Sequence, residues 1–311
     1  MKTQQADSPR VEAHAAGRNH PPPVWLNLVC LDAPIVAVAW LWFFSRTFHV
    51  PLRIGNVVAL FLTAWLIYLA DRFADAISLK PALLRSLRQE FCLRHRESWI
   101  TTVALVAGFD AYVIWRTTAR ETFLAGAAVG VLALIYLVAN HPLGLIWRSL
   151  PAKELAIGTL FAAGTTVALL PQMPRTPAFA IAIIAFAALC SLNCVSIASW
   201  EQELDSAQRK VSVATRHPGV VRYTGKACLV LAVGAFALAV VFREAALVFV
   251  CIGVSALLLM WLGASYDIKE RRFTNRRGRF VKRPSLGVDE RTALADLVLL
   301  TPVIALLVAM P

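Results

Sequence analysis

From residue 24 onward the chain alternates long apolar blocks with short polar or charged stretches. Nine such blocks run at about 24–44, 54–70, 99–115, 122–139, 155–170, 178–199, 223–242, 245–264 and 291–309, each bounded by Pro, Arg, Lys or a polar cluster. A helix needs ~20 apolar residues to cross about 30 Å of hydrocarbon, so most blocks are long enough and 54–70 is short for a straight crossing. Every backbone polar group in lipid must bond within its own segment, which makes helix the default. The pattern predicts an all-α integral membrane fold, a bundle of nine transmembrane helices. Trp25, Trp99, Trp115, Trp147, Trp200 and Trp261 fall near the predicted ends, where an interfacial aromatic belt would sit.

Composition sharpens this picture. The 311 residues are 58% hydrophobic and 16% charged, with a mean hydropathy of +0.63. Soluble domains carry roughly 25% charged residues, so a soluble enzyme is excluded. Residues 1–23 are polar and Pro-rich and lack the apolar core of a signal peptide. They read as a disordered cytoplasmic tail, leaving 24–311 as a single transmembrane helical domain.

The net charge of +12 would suit anionic lipid or nucleic acid. Its distribution decides between them. The tail and the loops after predicted helices 2, 4, 6 and 8 hold 23 of the 31 Lys and Arg, against six in the loops after helices 1, 3, 5 and 7. This positive-inside bias expects the N-terminus in the cytoplasm and the C-terminus outside, in the inner (cytoplasmic) membrane. The charge is topology, with the lipid bilayer as partner and no nucleic acid. The basic run at 269–283 reads first as a stop signal and second as a contact to anionic headgroups. The six Cys and six His form no ligand or disulfide pattern. No Walker loop, dinucleotide fingerprint or serine elbow is present.

Two acidic pairs stand out. Asp71 and Asp75 close predicted helix 2, and Glu201 and Asp205 close predicted helix 6. The four-residue spacing puts each pair on one helical face, where like charges repel. A helix C-terminus also disfavours anions by ~0.3–1 kcal/mol each. Carboxylates kept against both effects, on the same side of the bundle, point to a bound cation. Hard oxygen ligands suit Mg²⁺ bridging to a diphosphate. Arg72, Arg148, Lys153 and Lys210 lie close by in sequence and are candidate phosphate contacts. Asp32 and Asp110 are ionisable residues inside apolar blocks and so functional candidates by default, Arg116 being a candidate partner for Asp110. Taken singly, each of these residues also has a plain reading as a charge at a membrane edge or a helix–helix hydrogen bond.

Four stretches together resemble the UbiA superfamily of intramembrane prenyltransferases: Leu31-Asp32-Ala33-Pro34-Ile35, Asp71-x3-Asp75, Leu150-Pro151-x-Lys153-Glu154-Leu155-x2-Gly158, and Asn193 followed by Glu201-x3-Asp205-x4-Lys210-x-Ser212. The resemblance implies a nine-helix UbiA-like bundle and Mg²⁺-dependent transfer of a prenyl group from an isoprenoid diphosphate to an acceptor of unknown identity. Carried over by position, it implies Asp71, Asp75, Glu201 and Asp205 as metal ligands and catalytic residues. It places Arg72, Arg148, Lys153 and Lys210 on the diphosphate, and Asp32, Tyr68 and Asn193 in the cavity. The chain departs from the family pattern in three places. Ile67 and Tyr68 stand where the first motif opens with Asn-Asp, Glu201 stands for an Asp, and Cys30 for an Arg. A non-catalytic membrane protein on the same fold is the alternative, followed by a small-molecule transporter.

Overall fold

The structure is a computed structural model describing residues 21–79, 83, 85–140, 153–172, 176–270 and 288–309. Arg148, Trp147, the basic run beyond residue 270 and nearly all of the N-terminal tail lie outside the described residues.

Among the described residues fourteen α-helices follow one another: α1 (Pro22–Leu28), α2 (Asp32–Thr47), α3 (Ile54–Ser78), α4 (Leu87–Arg94), α5 (Arg96–Thr117), α6 (Arg120–Asn140), α7 (Lys153–Thr166), α8 (Pro177–Trp200), α9 (Gln202–Ala207), α10 (Val213–Arg216), α11 (Pro218–Val241), α12 (Ala246–Glu270), α13 (Val288–Leu297) and α14 (Thr301–Ala309). Eight spans among the described residues are long and apolar enough to cross a membrane, or nine if the bent pair α1–α2 is one span. The chain is therefore a multi-pass, all-α membrane bundle, and the expected count of nine depends on that pair.

Three expected spans are built differently from plain helices. The first breaks by 95° between α1 and α2. Cys30 takes a φ of 59° there, a conformation an L-residue rarely adopts, and Pro34 sits in the first turn of α2, where its missing N–H costs nothing. The second is longer than expected, because α3 continues past residue 70 to Ser78 and carries Asp71 and Asp75 within the helix. The last divides into α13, a 3₁₀ turn over Val298–Leu300, and α14. Pro302 has no N–H to give the Val298 carbonyl, and the Ser255 hydroxyl donates to that oxygen instead at 2.8 Å. The Trp40 indole donates to Leu299 O at 2.8 Å. Side chains thus satisfy backbone carbonyls that a regular helix would have bonded itself.

An aromatic core holds the centre. Trp40, Phe43 and Phe44 of α2 are fully buried, as are Phe179 and Phe186 of α8 and Phe249 of α12. Trp40 stacks on Phe186 with ring centroids 4.4 Å apart. The most extensive helix pairings are α11 with α12 and α7 with α8. In the second, Gly158 of α7 lies directly against the backbone of Ser191, the small-residue contact by which helices in lipid approach closely. The outward faces of α5, α6 and α11 are apolar and exposed: Leu105, Leu134 and Val230 are examples. In water that would be a liability; against lipid chains it is the ordinary state. Trp115 and Trp261 are exposed, whereas Trp99 is buried and donates to Leu69 O at 3.0 Å, so it is a packing residue rather than part of a belt.

Candidate functional site

One cavity of about 590 Å³ opens within the bundle. Asp71, Arg72 and Asp75 reach it from α3, Lys153 and Glu154 from the start of α7, and Asn193 from α8. Glu201, Asp205, Lys210 and Ser212 complete that end from the segment after α8. The rest of the wall is largely apolar, with Ile67, Ala133, Leu137, Ile157 and Phe161 among its residues. The size suits a lipid-like small molecule.

The two acidic pairs meet through cations rather than directly. Asp75, in the last turn of α3, forms an ion pair with Lys210 (Nζ–Oδ1 2.5 Å) and accepts a hydrogen bond from Gln89 Nε2 at 2.8 Å. Gln89 and Gln208 exchange amide hydrogen bonds of 3.3 and 2.9 Å, fastening α4 to the loop after α9. Glu201 forms an ion pair with Arg88 of α4 and accepts from Thr292 Oγ1 at 3.2 Å. Glu201 sits at the junction where α8 gives way to α9, and Asp205 belongs to α9. The Asp205 N–H still donates to Glu201 O at 2.8 Å, so the four-residue helical spacing survives the junction. Burial pushes the Asp205 carboxyl up to about 6; the neighbouring Glu201 charge adds to the rise and Lys210 opposes it.

Beneath this charged end lies a second polar layer. Asn193 Nδ2 donates to Asp296 Oδ1 of α13 at 2.8 Å, and both residues line the cavity with Tyr68. Asp32, expected in the cavity wall, is buried and is not among the lining residues. Its carboxylate accepts from Asn27 Nδ2 at 2.5 Å and from the Ala33 N–H at 2.9 Å. Glu154 Oε1 accepts from the Val213 N–H at 2.9 Å, which pins α10 to the start of α7.

Of the residues singled out in the sequence, Asp71, Arg72, Asp75, Lys153, Asn193, Glu201, Asp205, Lys210 and Tyr68 share this cavity. Arg148 lies outside the described residues. Arg116 is exposed, and Asp110 takes the Thr63 hydroxyl as its partner at 2.7 Å. Sequence reasoning missed Arg88, Gln89 and Asp296. The first two sit on α4, whose start carries the capping box Ser86-x-x-Gln89, a readable helix signal. Asp296 had the same signal as Asp32, a carboxylate within an apolar block.

Among the described residues no three His, Cys, Asp or Glu side chains cluster closely enough to hold a metal ion. The donor set is all hard oxygen, however, and spread around one end of one cavity. It fits a cation that arrives with oxygen ligands of its own, because Mg²⁺ typically takes one or two protein carboxylates and fills its octahedron with phosphate and water.

Fold and cavity define the class: a multi-pass helical membrane protein enclosing an apolar cavity with one charged end. No family model matches the chain, and neither a curated protein nor a solved structure matches it.

Proposed function

We propose that this protein is an intramembrane prenyltransferase of the UbiA type, moving a prenyl group from an isoprenoid diphosphate to an acceptor with the help of Mg²⁺. The single observation that carries the reading is that both acidic pairs and three basic residues, Arg72, Lys153 and Lys210, line the same end of one largely apolar cavity. Carboxylates provide for a divalent cation, Arg and Lys for phosphate oxygens, and the apolar wall for an isoprenoid chain.

Asp71, Asp75, Glu201 and Asp205 would hold the cation. Bound there, Mg²⁺ supplies charge neutralisation to the diphosphate leaving group. Lys210 and Arg72 bind and orient the phosphate oxygens, and on ligand entry Lys210 exchanges part of its pairing with Asp75 for a phosphate. The bond between the prenyl carbon and its diphosphate oxygen breaks, the acceptor's nucleophile bonds to that carbon, and the acceptor loses a proton. Ile67, Leu137 and Phe161 exclude water that would otherwise trap the allylic cation. The nine-span topology is part of the same proposal: the charge bias of the loops favours counting α1–α2 as a crossing, with the N-terminus cytoplasmic and the C-terminus outside the inner membrane.

The test is an assay of purified protein with Mg²⁺, a set of prenyl diphosphates and a panel of acceptors, following diphosphate release. Turnover that needs Mg²⁺ and an acceptor supports the reading. Binding of prenyl diphosphate without turnover would favour the non-catalytic alternative, for which the specific observation is the aromatic residue Tyr68 where the family pattern places a carboxylate.

A further inference from the structure

The cavity has a second polar end that the charged end does not explain. Thr63 lies twelve residues before Asp75 on α3, and Thr165 twelve residues after Lys153 on α7. At about 1.5 Å per helical residue, both stand ~18 Å from the charged end. Around them the cavity is lined by Asn56, Asp110, Thr118 and Thr122 as well. Between the two ends the wall is largely apolar, with Ile67, Leu137, Leu160 and Phe161 beside Tyr68 and Tyr136.

This far chamber is short of partners. Asn56 Oδ1, Asp110 Oδ1, Thr118 Oγ1 and Thr165 Oγ1 are all buried, and none has a hydrogen-bond partner among the described residues. Asp110 is 4% exposed and Thr165 1%. Buried polar atoms are normally bonded, so orphans on four residues that line one cavity mark places where something else supplies the bonds. The lining has no room problem, since nothing lies within 4 Å of where a Cβ would stand on Gly126 or Gly130.

The orphan atoms specify the missing chemistry. Asn56 Oδ1 only accepts, so an occupant bonded there must donate. The two threonine hydroxyls can also donate, so an occupant that both gives and takes satisfies more of them. The four Arg and Lys residues of the cavity wall, Arg72, Arg88, Lys153 and Lys210, are placed with the acidic pairs, which leaves the far end unsuited to phosphate or carboxylate. A hydroxyl meets all these conditions. An ammonium cannot accept from Thr118 or Thr165.

We propose that the far chamber is a binding site for a hydroxyl group at the distal end of an apolar ligand, so that the ligand reads charged, apolar, hydroxyl along the cavity. The hydroxyl site stands on its own geometry; only the identity of the ligand as an isoprenoid diphosphate rests on the function proposed above. Asp110 and Thr165 are then specificity-determining residues, and the span of the cavity selects chain length.

The experiment measures affinity in lipid nanodiscs for a chain-length series from geranyl to geranylgeranyl. Each length is tested with and without a terminal hydroxyl, as the diphosphate with Mg²⁺ and as the free prenyl alcohol. At the matching length the hydroxylated member should bind about fivefold or more tightly than its plain partner, the worth of one or more hydrogen bonds in place of none. The near-isosteric Thr165→Val and Asp110→Asn should each shrink that preference while leaving the plain member's affinity unchanged, a readout that loss of folding would not give. The proposal is overturned if the wild type shows no preference at any length, or if both variants keep the full preference. A preference among the alcohols with no binding of any diphosphate would uphold the chamber and sink the prenyltransferase reading. Diphosphates that bind without regard to the hydroxyl would do the reverse.

Discussion

Lys210 Nζ lies 2.5 Å from Asp75 Oδ1 and so joins the segment after α9 to the last turn of α3. The two residues are 135 positions apart in the chain, and their ion pair is about one quarter exposed on each side. It is the point at which the two acidic motifs become one end of one cavity. A carboxylate paired this way is charged and oriented before any ligand arrives, and the ammonium beside it is an available phosphate contact.

Asp75→Asn and Lys210→Met should separate charge from structure. Each breaks one charge-assisted bond, and the expected stability loss is about 1–3 kcal/mol before discounting for the partial exposure of the pair. Thermal unfolding of either variant in detergent should therefore still be cooperative, with a modestly lowered midpoint. Prenyl-diphosphate turnover should fall at least about tenfold, equivalent to ~1.4 kcal/mol of lost transition-state stabilisation. Full activity in both variants would remove Asp75 and Lys210 from the site.

The titration of Asp205 gives a pH signature. Its carboxyl is held up at about 6, chiefly by burial. The folded protein therefore binds this proton more tightly than the unfolded chain does, and the associated stability is full below about 4 and is lost as the pH rises through about 6. Ligand binding has the opposite sign, because a cation competes with that proton. Mg²⁺-dependent prenyl-diphosphate affinity should weaken as the pH falls below about 6, by at most tenfold per unit for one proton. Asp205→Asn should flatten this dependence in a calorimetric titration between pH 5 and 8, a window set by the same carboxyl.

Gly158 and Gly130 make a matched pair of packing tests. A Cβ on Gly158 would run into the backbone of Ser191, which cannot move aside as a flexible side chain can. Gly158→Ala should cost about 1–3 kcal/mol through overpacking and separate α7 from α8. Gly130 lines the cavity with nothing within 4 Å of its would-be Cβ. Gly130→Ala should be neutral or stabilising by up to about 1 kcal/mol through helix propensity. Equal losses of thermal stability in the two variants would contradict the packing described for α7 and α8.

The sequence made the long helices legible because a membrane span is written in uninterrupted apolar residues. The blocks at 99–115, 122–139 and 178–199 lie within α5, α6 and α8. It hid the places where backbone geometry changes inside an apolar block. Nothing in the hydropathy of residues 24–44 encodes the positive φ of Cys30, and Val298–Leu300 turns tightly because Pro302 follows and side chains from α2 and α12 take over its lost bonds. The four carboxylates could be picked out because each pair repeats a four-residue spacing that sets like charges on one helical face. Arg88 and Gln89 could not, since they sit on a short helix in a charged stretch where any single residue looks ordinary. Their roles arise only when α4 folds back over the acidic pairs, a contact between residues up to 119 positions apart.

In the proposed function Asp71, Asp75, Glu201 and Asp205 form one cation-dependent diphosphate site. Its most direct test is calorimetric titration of the purified protein with a prenyl diphosphate, with Mg²⁺ and with excess chelator, in the wild type and in an Asp75→Asn/Asp205→Asn double variant. Saturable binding to the wild type with Mg²⁺ is expected, and binding at least about tenfold weaker with chelator or in the double variant, a difference of ~1.4 kcal/mol or more. Equal affinity in all four conditions, or no binding to the wild type with Mg²⁺, would contradict it.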